Sequence, residues 1–164
     1  MVLGRHTVAG MPPSLLTPSV HSGTIDELSA RQLYDLLRLR VDVFIVEQGC
    51  PYAELDGLDL NTGTTHFWIA GDDPNGGSDV FAVLRTLTND GRRQIGRVAT
   101  NAAHRGRGYA ATLMLAALSA LGSGEVTLEA QAHLETWYAG FGFERVGADY
   151  VEDGIPHLPM RRRA

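Results

Sequence analysis

The sequence predicts an α/β fold of the α+β kind, a mixed, mostly antiparallel, twisted sheet with flanking helices. Three observations predict it. Two strand-like runs, residues 80–88 and 93–100, are joined by Asn89-Asp90-Gly91, the composition of a tight hairpin. The glycine-rich run "HRGRGYAA" (104–111) then leads into an Ala/Leu-rich helical stretch at 109–122. A further strand-like run at 125–131 follows that helix, so 93–100 and 125–131 should lie parallel, linked by a crossover.

In chain order, residues 1–17, with Pro12 and Pro13, read as a loosely ordered leader, and residues 18–164 as one domain. Residues 29–47 carry Leu33, Leu36, Leu37, Val41 and Phe44 at helical spacing, and Ser29 with Gln32 forms a capping box at the start. The long polar loop "QGCPYAELDGLDLNTGTT" follows, of a length more often functional than decorative. "HFWIAG" (66–71) is a strand closed by the turn-rich "DDPNGGSD", ahead of the hairpin. The 109–122 helix is apolar on most faces, so it should pack against the sheet, and Gly122 ends it. After the 125–131 strand come a short helix in "HLETWYAGF" and two terminal strands, "FERVGADYVE" and "HLPMRRR". There is no internal repeat.

Length, composition and charge narrow the function. A chain of 164 residues supports one domain with a real core. Hydrophobic residues at 44% against 20% charged place it with soluble globular proteins. A net charge of −5 argues against a nucleic-acid partner, and the terminal Arg161, Arg162 and Arg163 are too few to reverse that. No run approaches the ~18 apolar residues of a membrane span. Cys50 is the only cysteine, so no internal disulfide forms, and its thiol is expected to be packed rather than nucleophilic. These features predict a cytoplasmic protein without a membrane partner.

The glycine run admits two chemistries. As G-x-G-x-x-A (Gly106, Gly108, Ala111) it matches a dinucleotide loop, with Glu129 lying 21 residues beyond Gly108, near where a ribose-binding acid would stand. As R-x-x-G-x-A (Arg105, Gly108, Ala110) it matches an acyl-CoA pyrophosphate loop. Both use the free N–H groups and partial positive charge of a helix start. Topology decides between them: a hairpin precedes this loop, whereas the dinucleotide motif opens a series of parallel βαβ units, and "NAAHR" makes the connection too long.

At this point the sequence resembles the GNAT (GCN5-related N-acetyltransferase) superfamily. "IGRVATNAAHRGRGYAATLM" is similar to the family's strand-loop-helix, whose signature Q/R-x-x-G-x-G/A is met by Arg105 to Ala110, and "WYAGFGF" (137–143) is similar to its later signature. Residues 33–59, 131–143 and "EDGIPHLPM" (152–160) resemble the ElaA-like branch, so the likeness covers nearly all of 29–160. The resemblance implies the GNAT fold with about six to seven strands, and acetyl-CoA (CoA) as co-substrate, with no metal.

The resemblance also implies roles for particular residues. Main-chain N–H groups across Arg105, Gly106, Arg107, Gly108, Tyr109 and Ala110 would hold the pyrophosphate. Val98, Ala99 and Thr100 would hydrogen-bond the pantetheine, and an N–H near Val98 or Ala99 would polarise the thioester carbonyl. Gln131 stands where many relatives place an asparagine on the pantetheine, and Tyr138 matches the tyrosine that protonates the departing thiolate. Trp137, Phe141 and Phe143 are expected in the core.

For the base that deprotonates the amine, Glu47, His66, Glu129 and His157 are candidates, with Glu47 and His157 preferred. The acidic loop residues Glu54, Asp56 and Asp59 are expected to be a solvated face, whose charge could draw in a cationic amine over roughly 8–10 Å. The expected partner is a small-molecule or peptide amine, and a homodimer is compatible with the sequence. Two other functions fit parts of it. One is an acyl-CoA-binding module without turnover. The other is an acyl-homoserine-lactone-synthase-like acyltransferase, which "LRVDVF" and the following acids resemble, although the expected tryptophan after the first helix is missing.

Overall fold

The structure, a computed structural model, describes residues 19–72 and 78–164. The expected leader and most of the "DDPNGGSD" turn lie outside the described residues.

A short strand β1 (Val20–Gly23) precedes helix α1 (Ala30–Val41), which continues as a π-helical turn over Asp42–Glu47. Strands β2 (Thr64–Asp72), β3 (Ser78–Asn89) and β4 (Arg92–Thr100) form the meander. Helix α2 (Tyr109–Leu121), strand β5 (Val126–Gln131), helix α3 (Glu135–Ala139) and strands β6 (Glu144–Arg145), β7 (Tyr150–Glu152) and β8 (Ile155–Arg162) complete the chain. The sheet runs β1-β2-β3-β4-β5-β8-β6, with β7 also paired to β8. The described residues form eight strands, close to the six to seven or so expected. β1 was not foreseen. The single strand expected over 143–152 is broken in two, because Gly147 turns against the ring of Pro159 so closely that a Cβ there would come within 2.7 Å.

Local chemistry accounts for the elements. The Ser29 side chain accepts from Gln32 N–H and Gln32 reaches back to Ser29 N–H, the expected capping box. Asp90 and Gly91 take φ of 47° and 78°, the left-handed pair of a two-residue hairpin turn. Side chains alternate across the sheet with period two. Phe67, Ile69, Leu84 and Leu128 meet Leu113 and Met114 of α2 on one face, while Trp68, Val80, Val83 and Ala99 meet Leu36 and Leu39 of α1 and Val43 of the π-helical turn on the other. The buried residues of α1 are Asp35, Leu36, Leu39 and Arg40, continued by Val43 in the π-helical turn; of the expected face, Leu36 is buried and Leu33, Leu37, Val41 and Phe44 are half-buried.

Two irregularities shape the site. Across β3 and β4 the register steps from Val83↔Ala99 to Arg85↔Gly96, a bulge in which Arg97 takes φ of 54°. Beside it, the parallel ladder between β4 and β5 consists of the pair Gln94↔Thr127. Beyond that pair the two halves of the sheet part, opening a wedge towards the C-terminal ends of both strands.

Candidate active site

The wedge is a cavity of about 1010 Å³, lined by every residue that the sequence nominated for the donor: Val98, Ala99 and Thr100 of β4, Arg105 to Ala110, and Gln131 at the end of β5. Tyr138, Glu47, Glu129 and His157 line it as well. His66 does not. It is buried beneath the sheet, where desolvation holds its imidazole below its ordinary pKa.

The glycine loop forms an open cradle. Gly106 and Gly108 take φ of 74° and 79°, and Gly108 caps α2. Thr112 N–H donates to Gly108 O at 3.0 Å as the helix begins, which leaves the N–H groups of Tyr109, Ala110 and Ala111 without acceptors inside the helix. A Cβ at Gly106 or Gly108 would meet nothing within 4 Å, so the glycines are required by their backbone angles and the ligand side is clear. Free N–H groups, a helix start and the guanidinium groups of Arg105 and Arg107 fit a diphosphate.

The rail along the wedge follows from strand alternation. Asn101 N–H donates to Phe81 O at 2.9 Å, towards β3. The main-chain groups of Thr100 and Val98 therefore point the other way, into the wedge. Consistent with this, Thr100 O accepts from Arg105 Nε at 3.2 Å. Gln131 stands on the facing strand, where its amide donates to Gln48 Oε1 at 3.2 Å, tying β5 to the π-helical turn. That turn also carries Glu47 to the cavity.

Tyr138 is 7% exposed, its ring edge-on to Trp137 and Phe143. Burial pushes its phenol up to about 12, so it stays protonated at neutral pH. As expected, Phe143 lies in the core, with Trp137 and Phe141 packed against it.

The two preferred bases differ in their surroundings. Glu47 Oε2 accepts from Arg105 Nη2 at 2.6 Å, and this hydrogen bond lowers its carboxyl below the ordinary range. His157 Nδ1 lies 2.9 Å from Ile155 O. A carbonyl only accepts, so Nδ1 carries the proton and Nε2 keeps a lone pair in the neutral ring.

The acidic loop behaves unlike the solvated face expected of it. Glu54 and Asp59 are buried, and so are Arg40 and Arg85. Arg40 Nε donates to Glu54 Oε1 at 2.5 Å and Arg40 Nη1 to Asp59 Oδ1 at 2.7 Å. Arg85 donates to both Asp56 oxygens at 2.8 and 2.7 Å and to Asp59 Oδ1 at 3.0 Å. Arg97 pairs with Glu54 at 2.7 Å, a contact of charge rather than hydrogen-bond geometry, and donates to Asp56 Oδ2 at 3.1 Å. Each of the three carboxylates is thus matched by a guanidinium, leaving no surplus charge to draw in an amine.

The family described as Acetyltransferase (GNAT) domain matches residues 43–164. The chain belongs to the GNAT superfamily. Within it the chain falls in the ElaA-like branch. It is 41% identical to Escherichia coli ElaA over 143 residues, 83% of this chain and 90% of that one. A UPF0039 protein of Mycobacterium tuberculosis is 45% identical over 140 residues, covering 83% of this chain and 87% of its own. The crystal structure of E. coli ElaA superposes with a TM-score of 0.81 at 38% identity, covering 89% of this chain and 99% of ElaA. That of an acyl-CoA N-acyltransferase from Pseudomonas aeruginosa gives 0.79 at 40%, with the same coverages of 89% and 99%.

The GNAT domain is therefore an acyltransferase domain; neither the parting of β4 from β5 nor the ionic cage was foreseen from the sequence. The one local sign of the cage is Arg40, four residues after Leu36 on the buried stripe of α1 and three before the buried Val43, a position where a cation requires a partner. Among the described residues no helix is long and apolar enough to cross a membrane.

The cage is expected to make the stability of the GNAT domain acid-sensitive. Burial alone would raise the Asp56 carboxyl, but hydrogen bonds from Arg85 and Leu58 N–H and the charges of Arg85 and Arg97 outweigh it, bringing it down to about 2. Asp59 is lowered in the same way, with Arg40 and Arg85 overcoming burial. A depressed carboxyl contributes stability that is complete above its unfolded value and lost as pH falls through the folded one. Stability measured by circular dichroism should fall between the ordinary 3.8 and about 2, and Asp56→Asn should flatten that fall. An unchanged acid profile in Asp56→Asn would count against the cage as its source.

Proposed function

We propose that the protein is an acetyl-CoA-dependent N-acetyltransferase, moving an acetyl group directly to a primary amine of a small molecule or peptide within a ternary complex. The observation that carries this is that one cavity is lined by the glycine cradle, the open β4 rail, a protonated phenol and a histidine with a free lone pair. The description of the Pseudomonas relative as an acyl-CoA N-acyltransferase supports an acyl-CoA donor for this chain too.

Acetyl-CoA, when bound, supplies an activated thioester; the protein's own residues do the rest. Arg105 to Ala110 bind the diphosphate through main-chain N–H groups, with the two guanidinium groups adding charge. Val98, Ala99 and Thr100 form the rail for the pantetheine, with Gln131 opposite. Val98 N–H, pointing into the wedge, polarises the acyl carbonyl. Tyr138 donates its proton to the departing sulfur. His157 accepts the proton of the amine at Nε2, a role its geometry favours over Glu47, whose carboxylate is held by Arg105.

The test is thiol release from acetyl-CoA over a panel of primary amines, run beside Gly108→Trp. The variant combines a left-handed φ of 79° with an indole in the cradle. It should weaken CoA binding about a hundredfold or more while the fold persists. Unchanged CoA affinity would remove the cradle assignment. Tight CoA binding without transfer to any amine would leave an acyl-CoA-binding module in place of an enzyme.

A further inference from the structure

We infer that Tyr150 is a positioning residue for the acceptor: it holds the Glu129 carboxylate on the same sheet face as His157, as the anchor for a cationic amine. This rests on the N-acetyltransferase function proposed above and names the class of acceptor that its cavity takes.

The strand registers place the three side chains together. On β5, Leu128 and Ala130 point into the core beneath α2, so Glu129 and Gln131 point to the opposite, cavity face. Gln131 lies opposite His157 of β8, and His157 lies opposite Tyr150 of β7, which puts all of them on that one face. The Tyr150 hydroxyl reaches across β8 and donates to Glu129 Oε2 at 2.7 Å. Its ring stacks on the His157 imidazole, with centroids 6.0 Å apart and planes inclined by 29°. One phenol thus spans three strands, fixing the orientation of a carboxylate and of an imidazole.

Charge selects the ligand. The arginines lining the cavity are committed elsewhere, Arg85 and Arg97 to the cage, Arg105 to Glu47 and Arg107 to the Ala103 carbonyl. Among the described residues Glu129 is paired with no cation. Its Oε1 accepts no hydrogen bond among the described residues, while Oε2 is fixed by Tyr150. Glu152 and Asp153, in the β7–β8 hairpin, also line the cavity. An alkylammonium group approaching this side meets a carboxylate that is oriented and has one oxygen to spare. An arylamine, uncharged at neutral pH, gains nothing from it.

A double-mutant cycle on the full chain tests this, with Tyr150→Phe, Glu129→Gln and the double variant. Steady-state rates are measured with acetyl-CoA over cationic alkylamines, including 1,4-diaminobutane, and uncharged arylamines, including aniline. CoA affinity and thermal midpoint are followed in parallel. Tyr150→Phe should raise KM for the best alkylamine about fivefold, and Glu129→Gln about tenfold or more. The double variant should be no worse than Glu129→Gln. CoA affinity, the thermal midpoint and KM for arylamines should stay as in the wild type. Additive effects of the two substitutions, equal losses on arylamines, or a wild type that takes only uncharged amines would each overturn the inference while leaving the N-acetyltransferase function standing. A wild type that binds CoA but acylates no amine would overturn both.

Discussion

Replacing Tyr138 with phenylalanine is expected to lower kcat about a hundredfold or more while leaving CoA affinity within about twofold. The substitution isolates one atom. The ring sits at 7% exposure with its edge contacts to Trp137 and Phe143, which phenylalanine keeps. The hydroxyl makes no hydrogen bond among the described residues, so its loss leaves no buried partner unpaired and the fold should be untouched. What is lost is the proton donor proposed above, a phenol that burial pushes up to about 12 and so keeps protonated at neutral pH. Single-turnover thiol release separates this from slow product release. A variant with wild-type kcat would show that the phenol only packs.

Replacing Arg40 with alanine is expected to cost about 3–5 kcal/mol of stability. Arg40 is 1% exposed and donates to Glu54, Asp59 and the Glu54 carbonyl, two of which are carboxylates nearly as buried as itself. Removing it strands those charges away from water. For a domain of this size the midpoint of thermal unfolding should drop by about 6–20 °C. Arg40→Lys should recover only part of the loss, since an ammonium cannot reproduce the fork that engages both acids. Neutralising the acids alongside Arg40→Met should recover more. If Arg40→Ala melts like the wild type, the cage contributes nothing net.

What was legible in the sequence is what short stretches encode by themselves. The Ser29/Gln32 box, the Asp90-Gly91 turn and the strand-glycine-helix passage through Arg105 to Ala110 each carry their conformation in adjacent residues, and each stands where it was expected. The cage was not legible because its partners come from four distant segments. Glu54, Asp56 and Asp59 look solvated in an acidic loop, and only the packing of α1, β3 and β4 brings Arg40, Arg85 and Arg97 onto them. β1 was missed because four residues ending in glycine owe their strand character to the edge of β2 rather than to their own propensity. Glu47 lines the cavity, yet its partnership with Arg105 joins residues far apart in sequence and has no local signature.

The parting of β4 from β5 after Gln94↔Thr127 has a consequence for how the molecule lives among other proteins. Unpaired strand edges normally invite a neighbour's strand and seed aggregation. Here the free stretch of β4 is set back between two leaves of the same sheet, rather than on the rim. Admission depends on girth: a thin linear chain about one strand wide, roughly 5 Å, can lie along it, whereas the edge of a foreign sheet arrives with its own layers attached and is turned away. The same recess proposed above as the lane for an extended small molecule therefore shields this unpaired backbone from foreign strands.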